Sequence, residues 1–180
     1  MNNIHEAVVF QGPVELGDNI TIHPYCVIGG QGLSADLIDG VYLVRDAGEP
    51  TIIEDSVTIL NTTSIQAGAR IGRGTILGPH VSVGHHAVIG ESVRMHTNSY
   101  CGGRSVLGKR VVVHPGACIG SKVTIGEFSR IGMNAVVSRD VPPRRVYFGI
   151  PARSQSEQRL RGEMMRELLE EYRNNKRKPS

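Results

Sequence analysis

Between Ile53 and Val137 an uncharged, mostly apolar residue returns every six positions: Ile53, Ile59, Ile65, Ile71, Leu77, Val83, Ile89, Met95, Cys101, Leu107, Val113, Ile119, Ile125, Ile131 and Val137. Two positions before each runs a second series, from Thr51, Val57 and Thr63 to Val123, Ser129 and Ala135, every member small or β-branched. A helix repeats at about 3.6 residues and a strand at 2, so neither alone produces this period. A short strand inside each hexad does. Its alternation points both series inward, and the chain turns between hexads, where glycine is frequent and accepts a positive φ. Three hexads close a triangular coil, and successive coils hydrogen-bond about 4.8 Å apart, as strands do in any sheet. The fifteen hexads make five coils, each burying its inner face on its neighbours.

The same period occurs earlier in another phase, with Phe10, Leu16, Ile22 and Ile28 partnered by Val8, Val14, Ile20 and Cys26. The phase slips within 29–51, "GGQGLSADLIDGVYLVRDAGEPT", which reads as an excursion from a coil, either functional or a tolerated surface loop. Beyond the coils, Leu160, Met164, Met165, Leu168, Leu169 and Tyr172 fall at helical spacing, and Ser154 with Glu157 has the form of a capping box. The expected architecture is all-β: a parallel β-helix over 1–153, then a helix and basic tail over 154–180. The helix is expected to cover the open end of the stack or to pack on a neighbouring chain. Only 4% of residues are aromatic and none is Trp, as suits flat, regular packing. The net charge of +3 owes much to Arg173, Lys176, Arg177 and Lys178, which read as a solvated end rather than a nucleic-acid arm. Cys26, Cys101 and Cys118 show no CxxC spacing, and the expected setting is a reducing cytoplasm. No stretch approaches the roughly 18 apolar residues of a membrane span.

The hexads over about 7–153 resemble those of the bacterial hexapeptide-repeat transferases. The resemblance implies a left-handed coil and a homotrimer with active sites between adjacent prisms. Two stretches sharpen it. "RDVPPRRVYFGIPARS" (Arg139–Ser154) is similar to the end of the coil domain in acetyl-CoA-dependent members. This implies a CoA site drawing on Ser121, Met133, Ala135, Arg139, Arg145, Pro151 and Arg153, with the arginines at phosphate; a purely structural turn into the helix is the alternative. "GHHAVIGESV" (Gly84–Val93) resembles the catalytic stretch of lipid A acyltransferases and nucleotide-sugar acetyltransferases, which puts the catalytic histidine at His85. The family's oxyanion-hole glycine lies one coil on, at Gly103, which also belongs to the CoA set. By the repeat these two share a corner one rung apart, so a histidine base would stand beside a backbone N–H able to receive negative charge. The excursion resembles that of acyltransferases acting on UDP-acylglucosamine. The expected function is therefore acetyl transfer from acetyl-CoA to the amine or hydroxyl of a sugar or nucleotide sugar, with no metal, no nucleic acid and no membrane partner.

This sequence departs from the family at His86, where an acidic residue or Asn is usual, so a carboxylate that orients His85 is not evident. Residues 1–180 are not expected to contain the separate N-terminal nucleotide-binding domain of one lipid A branch. His96 and His114, one coil apart, stack on another corner, which is expected to face a neighbouring subunit's His85 and to bind substrate or pantetheine; His80 lies there two positions off register. His86 reads equally as a substrate contact or a surface residue, and Asn98, with Asn61 and Thr62, as a polar turn residue or an acceptor contact. Two rival classes stand beside the transferase. A γ-class carbonic anhydrase would hold zinc with three histidines at a trimer interface, but His80 and His85, five apart, sit in the wrong register and lack a third partner. A non-catalytic assembly subunit would use the prism as a scaffold.

Overall fold

The computed structural model describes residues 1–30, 33–38, 41–44 and 49–176, with backbone only for 33–38, 41–44 and 174–176; Arg177 and Lys178 of the basic tail lie outside the described residues. The hexads form strands mostly two residues long on three parallel faces. The first face runs from Asn3–Ile4 through Thr58–Ile59, Ile76–Leu77 and Arg94–Met95 to Val146–Phe148. The second runs from Val9–Phe10 through Val27–Gly30 and Ser82–Val83 to Val136–Val137, and the third from Val14–Leu16 through Thr51–Ile53 and Val88–Ile89 to Thr124–Ile125. Each strand pairs with the strand three hexads further along the chain, as in Ser82↔Tyr100 and Val88↔Val106. About seven turns stack into a three-sided prism, consistent with a left-handed parallel β-helix.

All fifteen members of the apolar series are buried, and so are all fifteen of their partners. The inward hydroxyls close on turn carbonyls of the next coil or their own. Thr63 Oγ1 donates to Gly78 O at 2.8 Å, and Thr75 Oγ1 donates to Gly90 O at 2.8 Å while accepting from Val93 N–H. Polar atoms are thus satisfied where bulk would not fit. In the first coil Phe10 and Leu16 keep the phase but are 43% and 36% exposed, because no coil lies beneath them.

The turns differ from expectation. The left-handed backbone position recurs once in every hexad from Ser56 to Asn134, yet only three of these fourteen sites are glycine, Gly68, Gly74 and Gly116. The glycine that follows the buried residue of many hexads has another reason to be small. A Cβ on Gly84 would stand 2.4 Å from Gly103 N, and one on Gly102 2.4 Å from Ser121 N. It is the close approach of stacked corners, not the turn conformation, that excludes a side chain there.

The excursion leaves after Val27–Gly30 and returns at Thr51–Ile53; within it Leu33–Ile38 pairs antiparallel with Val41–Val44. The coil that carries it is about twice the usual length, yet Thr21 still pairs with Thr58 and Ile22 with Ile59, so the register resumes intact. At the far end Arg153–Ser154 turns back on Val146–Phe148 and leads into helix α1, Gln155–Lys176. The capping box forms: Glu157 N–H donates to Ser154 Oγ at 3.2 Å, and Ser154 N–H donates to Glu157 Oε2 at 2.8 Å. Gln158 Nε2 ties α1 to Phe148 O. Of the two places expected for the helix, the open end of the stack is not where its apolar stripe is buried: from Leu160 to Tyr172 the stripe is exposed along the single chain.

Candidate active site

The second and third faces meet at an edge where four residues per coil turn the corner. The excursion leaves and re-enters the prism at this edge, directly before the corner of Gln66–Ala69 and two coils before His85 and His86. Gly103 lies on the next rung. Chain geometry fixes His85 on both sides: its N–H donates to Gln66 Oε1 at 2.8 Å, and its carbonyl accepts from Arg104 N–H at 2.8 Å.

The imidazole of His85 packs against Gly103. A Cβ there would fall 2.6 Å from His85 Nε2 and 2.7 Å from Cδ2, so only glycine leaves the ring its place. His86 takes the left-handed turn position, φ 55°, and its ring covers Gly68, where a Cβ would meet His86 Cδ2 at 2.8 Å. The two rings meet edge to face with centroids 5.3 Å apart and Nδ1 atoms 3.1 Å apart. On the far side of His86, Nε2 lies 3.4 Å from Oε2 of Glu49, which comes from the returning limb of the excursion. Burial holds the His85 pKa below the ordinary histidine range, and the neighbouring His86 ring and the Arg104 guanidinium push it the same way. His85 is therefore a neutral imidazole at neutral pH, able to accept a proton. Among the described residues the Gly103 N–H has no acceptor, while its carbonyl accepts from Lys122 N–H. Cys101, two positions away, is no rival nucleophile. It is buried, its thiol pKa is pushed up to about 12, and its Sγ meets Ser105 Oγ at 2.9 Å.

The other candidates divide between places. Ser121 and Arg139 continue the edge of His85 and Gly103, each one coil further on, and both are exposed. His96, His114, Asn98 and Met133 lie on a different edge, between the first and second faces. There His96 and His114 stack with centroids 5.5 Å apart and planes 6° apart. His80 is on that edge too, with Nδ1 2.7 Å from Thr62 Oγ1, so it does not approach His85. Arg145, Pro151 and Arg153 belong to the last turn and the approach to α1. Arg144, Arg145 and Arg159 line a cavity of about 300 Å³ with Ser154 and Ser156 at the start of α1. Arg153 and Arg139 both hold the Glu157 carboxyl below its usual range, after the larger effect of its hydrogen bonds to Ser154. Arg153 Nε is buried without a partner among the described residues. Ala135 does not fit a cosubstrate contact. Its side chain is fully buried in the prism, its N–H donates to Gly132 O, and its carbonyl accepts from Cys118 N–H.

Glu49, Gln66 and Gly68 escaped the reading of the sequence. Counting the coil register places the excursion at His85's edge. No period marks which loop residue turns toward the histidines.

The profile of the bacterial transferase hexapeptide family (six repeats) matches residues 50–85 and 104–139. The chain is 30% identical over 142 residues to the UDP-3-O-acylglucosamine N-acyltransferase of Methylorubrum populi, across 77% of this chain and 40% of that protein. It is 35% identical over 132 residues to the serine acetyltransferase of Mycobacterium tuberculosis, across 73% of this chain and 43% of that one. The chain thus spans about two fifths of the length of these relatives. The structure of UDP-N-acetylglucosamine acyltransferase from Francisella novicida superposes with a TM-score of 0.68 over 85% of this chain and 67% of that one; at 18% identity this likeness is one of fold.

Proposed function

The chain belongs to the bacterial transferase hexapeptide-repeat proteins, and from that premise we propose that it is an acyl-CoA-dependent acyltransferase, with acetyl-CoA as donor and the amine or hydroxyl of a sugar or nucleotide sugar as acceptor. The observation that carries this reading is the ring of His85 lying against Gly103 on one edge of the prism. A neutral imidazole there takes the proton of the acceptor as its oxygen or nitrogen attacks the thioester carbonyl. The Gly103 N–H donates to the oxygen on which charge gathers. His85 then returns the proton to the departing thiolate, so no proton is gained or lost over the cycle.

The far end of the same edge suits the nucleotide part of the donor. Ser121 and Arg139 continue the column, three rungs or about 14 Å from His85 to Arg139 at a sheet spacing of about 4.8 Å. On the last turn, Arg153 Nε, without a partner among the described residues, and Arg144, Arg145 and Arg159, which line the cavity at the start of α1 on the adjoining edge, offer the planar, charged donors that phosphate takes best. The adjoining N-terminus of α1 adds a favourable dipole. The edge bearing His96, His114, Asn98 and Met133 is remote from His85 within one chain, and in a homotrimer it would face the His85 edge of a neighbour. The exposed stripe of α1 supports association of this kind. Cys26, Cys101 and Cys118 are free thiols, which supports a cytoplasmic setting. Among the described residues, no helix is long and apolar enough to cross a membrane.

The test is His85→Ala, assayed with acetyl-CoA and a panel of amino sugars and UDP-sugars. Acyl transfer is expected to fall about a hundredfold or more while calorimetry finds CoA binding retained. A variant that transfers at the wild-type rate would remove His85 from the reaction. Sedimentation is expected to find a particle of three 19.5 kDa chains.

A further inference from the structure

Histidine has two ring nitrogens, and only the one without a proton can act as a base. His85 presents Nε2 to Gly103, so it works only when its proton resides on Nδ1. Its Nδ1 faces Nδ1 of His86 at 3.1 Å, a contact in which one ring donates and the other accepts. Two arrangements are possible. If His86 donates, His85 Nδ1 is the acceptor, the proton of His85 sits on Nε2, and the base is blocked. If His85 donates, Nε2 is bare. The choice rests with the far nitrogen of His86, and Nε2 there lies 3.4 Å from the Glu49 carboxylate. A carboxylate accepts and never donates, so it draws the His86 proton to Nε2 and leaves His86 Nδ1 as an acceptor.

We infer that Glu49, carried on the returning limb of the excursion, is a positioning residue that selects the reactive form of His85 through His86. The inference rests on His85 being the base. When His85 Nε2 takes the acceptor's proton, His85 keeps its Nδ1 proton on His86, and His86 keeps its Nε2 proton toward Glu49, so one proton moves and the positive charge lies two rings from a carboxylate. The other charged group facing His85 among the described residues is Arg104, on the next rung, whose cation opposes protonation. Glu49 offsets it. Glu49 is 73% exposed, so as an ion pair it adds little to folding stability, and its contribution is directional. Gly68 is part of the arrangement, since a side chain there would push the His86 ring off its line to Glu49. The excursion thereby acquires a role in the reaction centre, and the place of the acidic neighbour seen after the family's histidine is filled by a carboxylate delivered through a second imidazole.

The experiment has two independent arms on the full chain. Long-range proton–nitrogen NMR reads the His85 tautomer above its titration: the Nδ1–H form is expected in the wild type, with Nε2–H gaining in Glu49→Ala and the wild-type form kept in Glu49→Gln, whose amide oxygen still accepts. In the kinetic arm, Glu49→Ala is expected to lower kcat about tenfold or more with KM for acetyl-CoA unchanged. Glu49→Gln should recover most of that loss, and Glu49→Ala should change nothing further in a His86→Ala background. An unchanged His85 tautomer in Glu49→Ala, or additive losses in the double variant, overturns the relay. Full activity in His85→Ala overturns the base instead, and the NMR arm still decides what Glu49 does.

Discussion

Gly103 and Gly68 admit two imidazoles where any other residue would place a Cβ less than 3 Å from a ring atom. Gly103 is outside the left-handed region, so alanine strains no backbone there, and the atom it meets is the far end of a rotatable side chain. Gly103→Ala is therefore expected to fold with a Tm within a few degrees of wild type and to lose about a hundredfold in kcat, because His85 is displaced. Circular dichroism and a single-turnover assay separate the two effects. The pH profile follows from the same surroundings. Since burial, His86 and Arg104 lower the His85 pKa, the imidazole stays neutral to a lower pH than a free histidine; with His85 as the proposed base, the acid limb of kcat/KM is expected to have its midpoint below the ordinary value of 6.5, protonation removing the base below it. Arg104→Gln removes one cation, lets the pKa rise and moves the limb to higher pH, which a kcat/KM profile measures directly.

At the scale of elements, the capping box carries a separable prediction. Ser154 and Glu157 satisfy the first amides of α1, and the helix is fastened to the prism near its start, through Gln158 and the strands at 146–148 and 153–154. Ser154→Ala should cost α1 about 1 kcal/mol and speed amide exchange in its first turns while exchange in the coils is unchanged. The strands and this cap were legible in the sequence because both are local patterns: a side chain pointing inward once per hexad, and an acceptor one helical turn from its donor. What lies beyond a strand is not local. Phe10 and Leu16 carry the same pattern as Ile22 and Ile28 yet stand open, since period gives direction and says nothing of cover. The glycines after the buried residues were visible, but their cause was not, because it lies in the separation between corners of successive coils. His85 and Gly103 could be paired by counting. Glu49 could not, because it comes from an aperiodic loop and its contact depends on how that loop turns.

The whole molecule is a one-dimensional stack, and its stability is correspondingly distributed. Each coil touches only the coils above and below, so a defect is felt by neighbours first. Leu107 is 1% exposed between Ile89 and Ile125. Leu107→Ala should cost roughly 2–5 kcal/mol, with hydrogen-exchange protection lost around residues 89, 107 and 125 and largely kept near Ile22. Uniform loss over all coils would contradict the stack. The excursion shows the reverse side of this arrangement. A coil's worth of extra chain enters at one corner and every later strand still finds its partner, so the detour can be lengthened, shortened or rewritten without disturbing the winding. A change there alters what lies against His86 while the rest of the scaffold stays still.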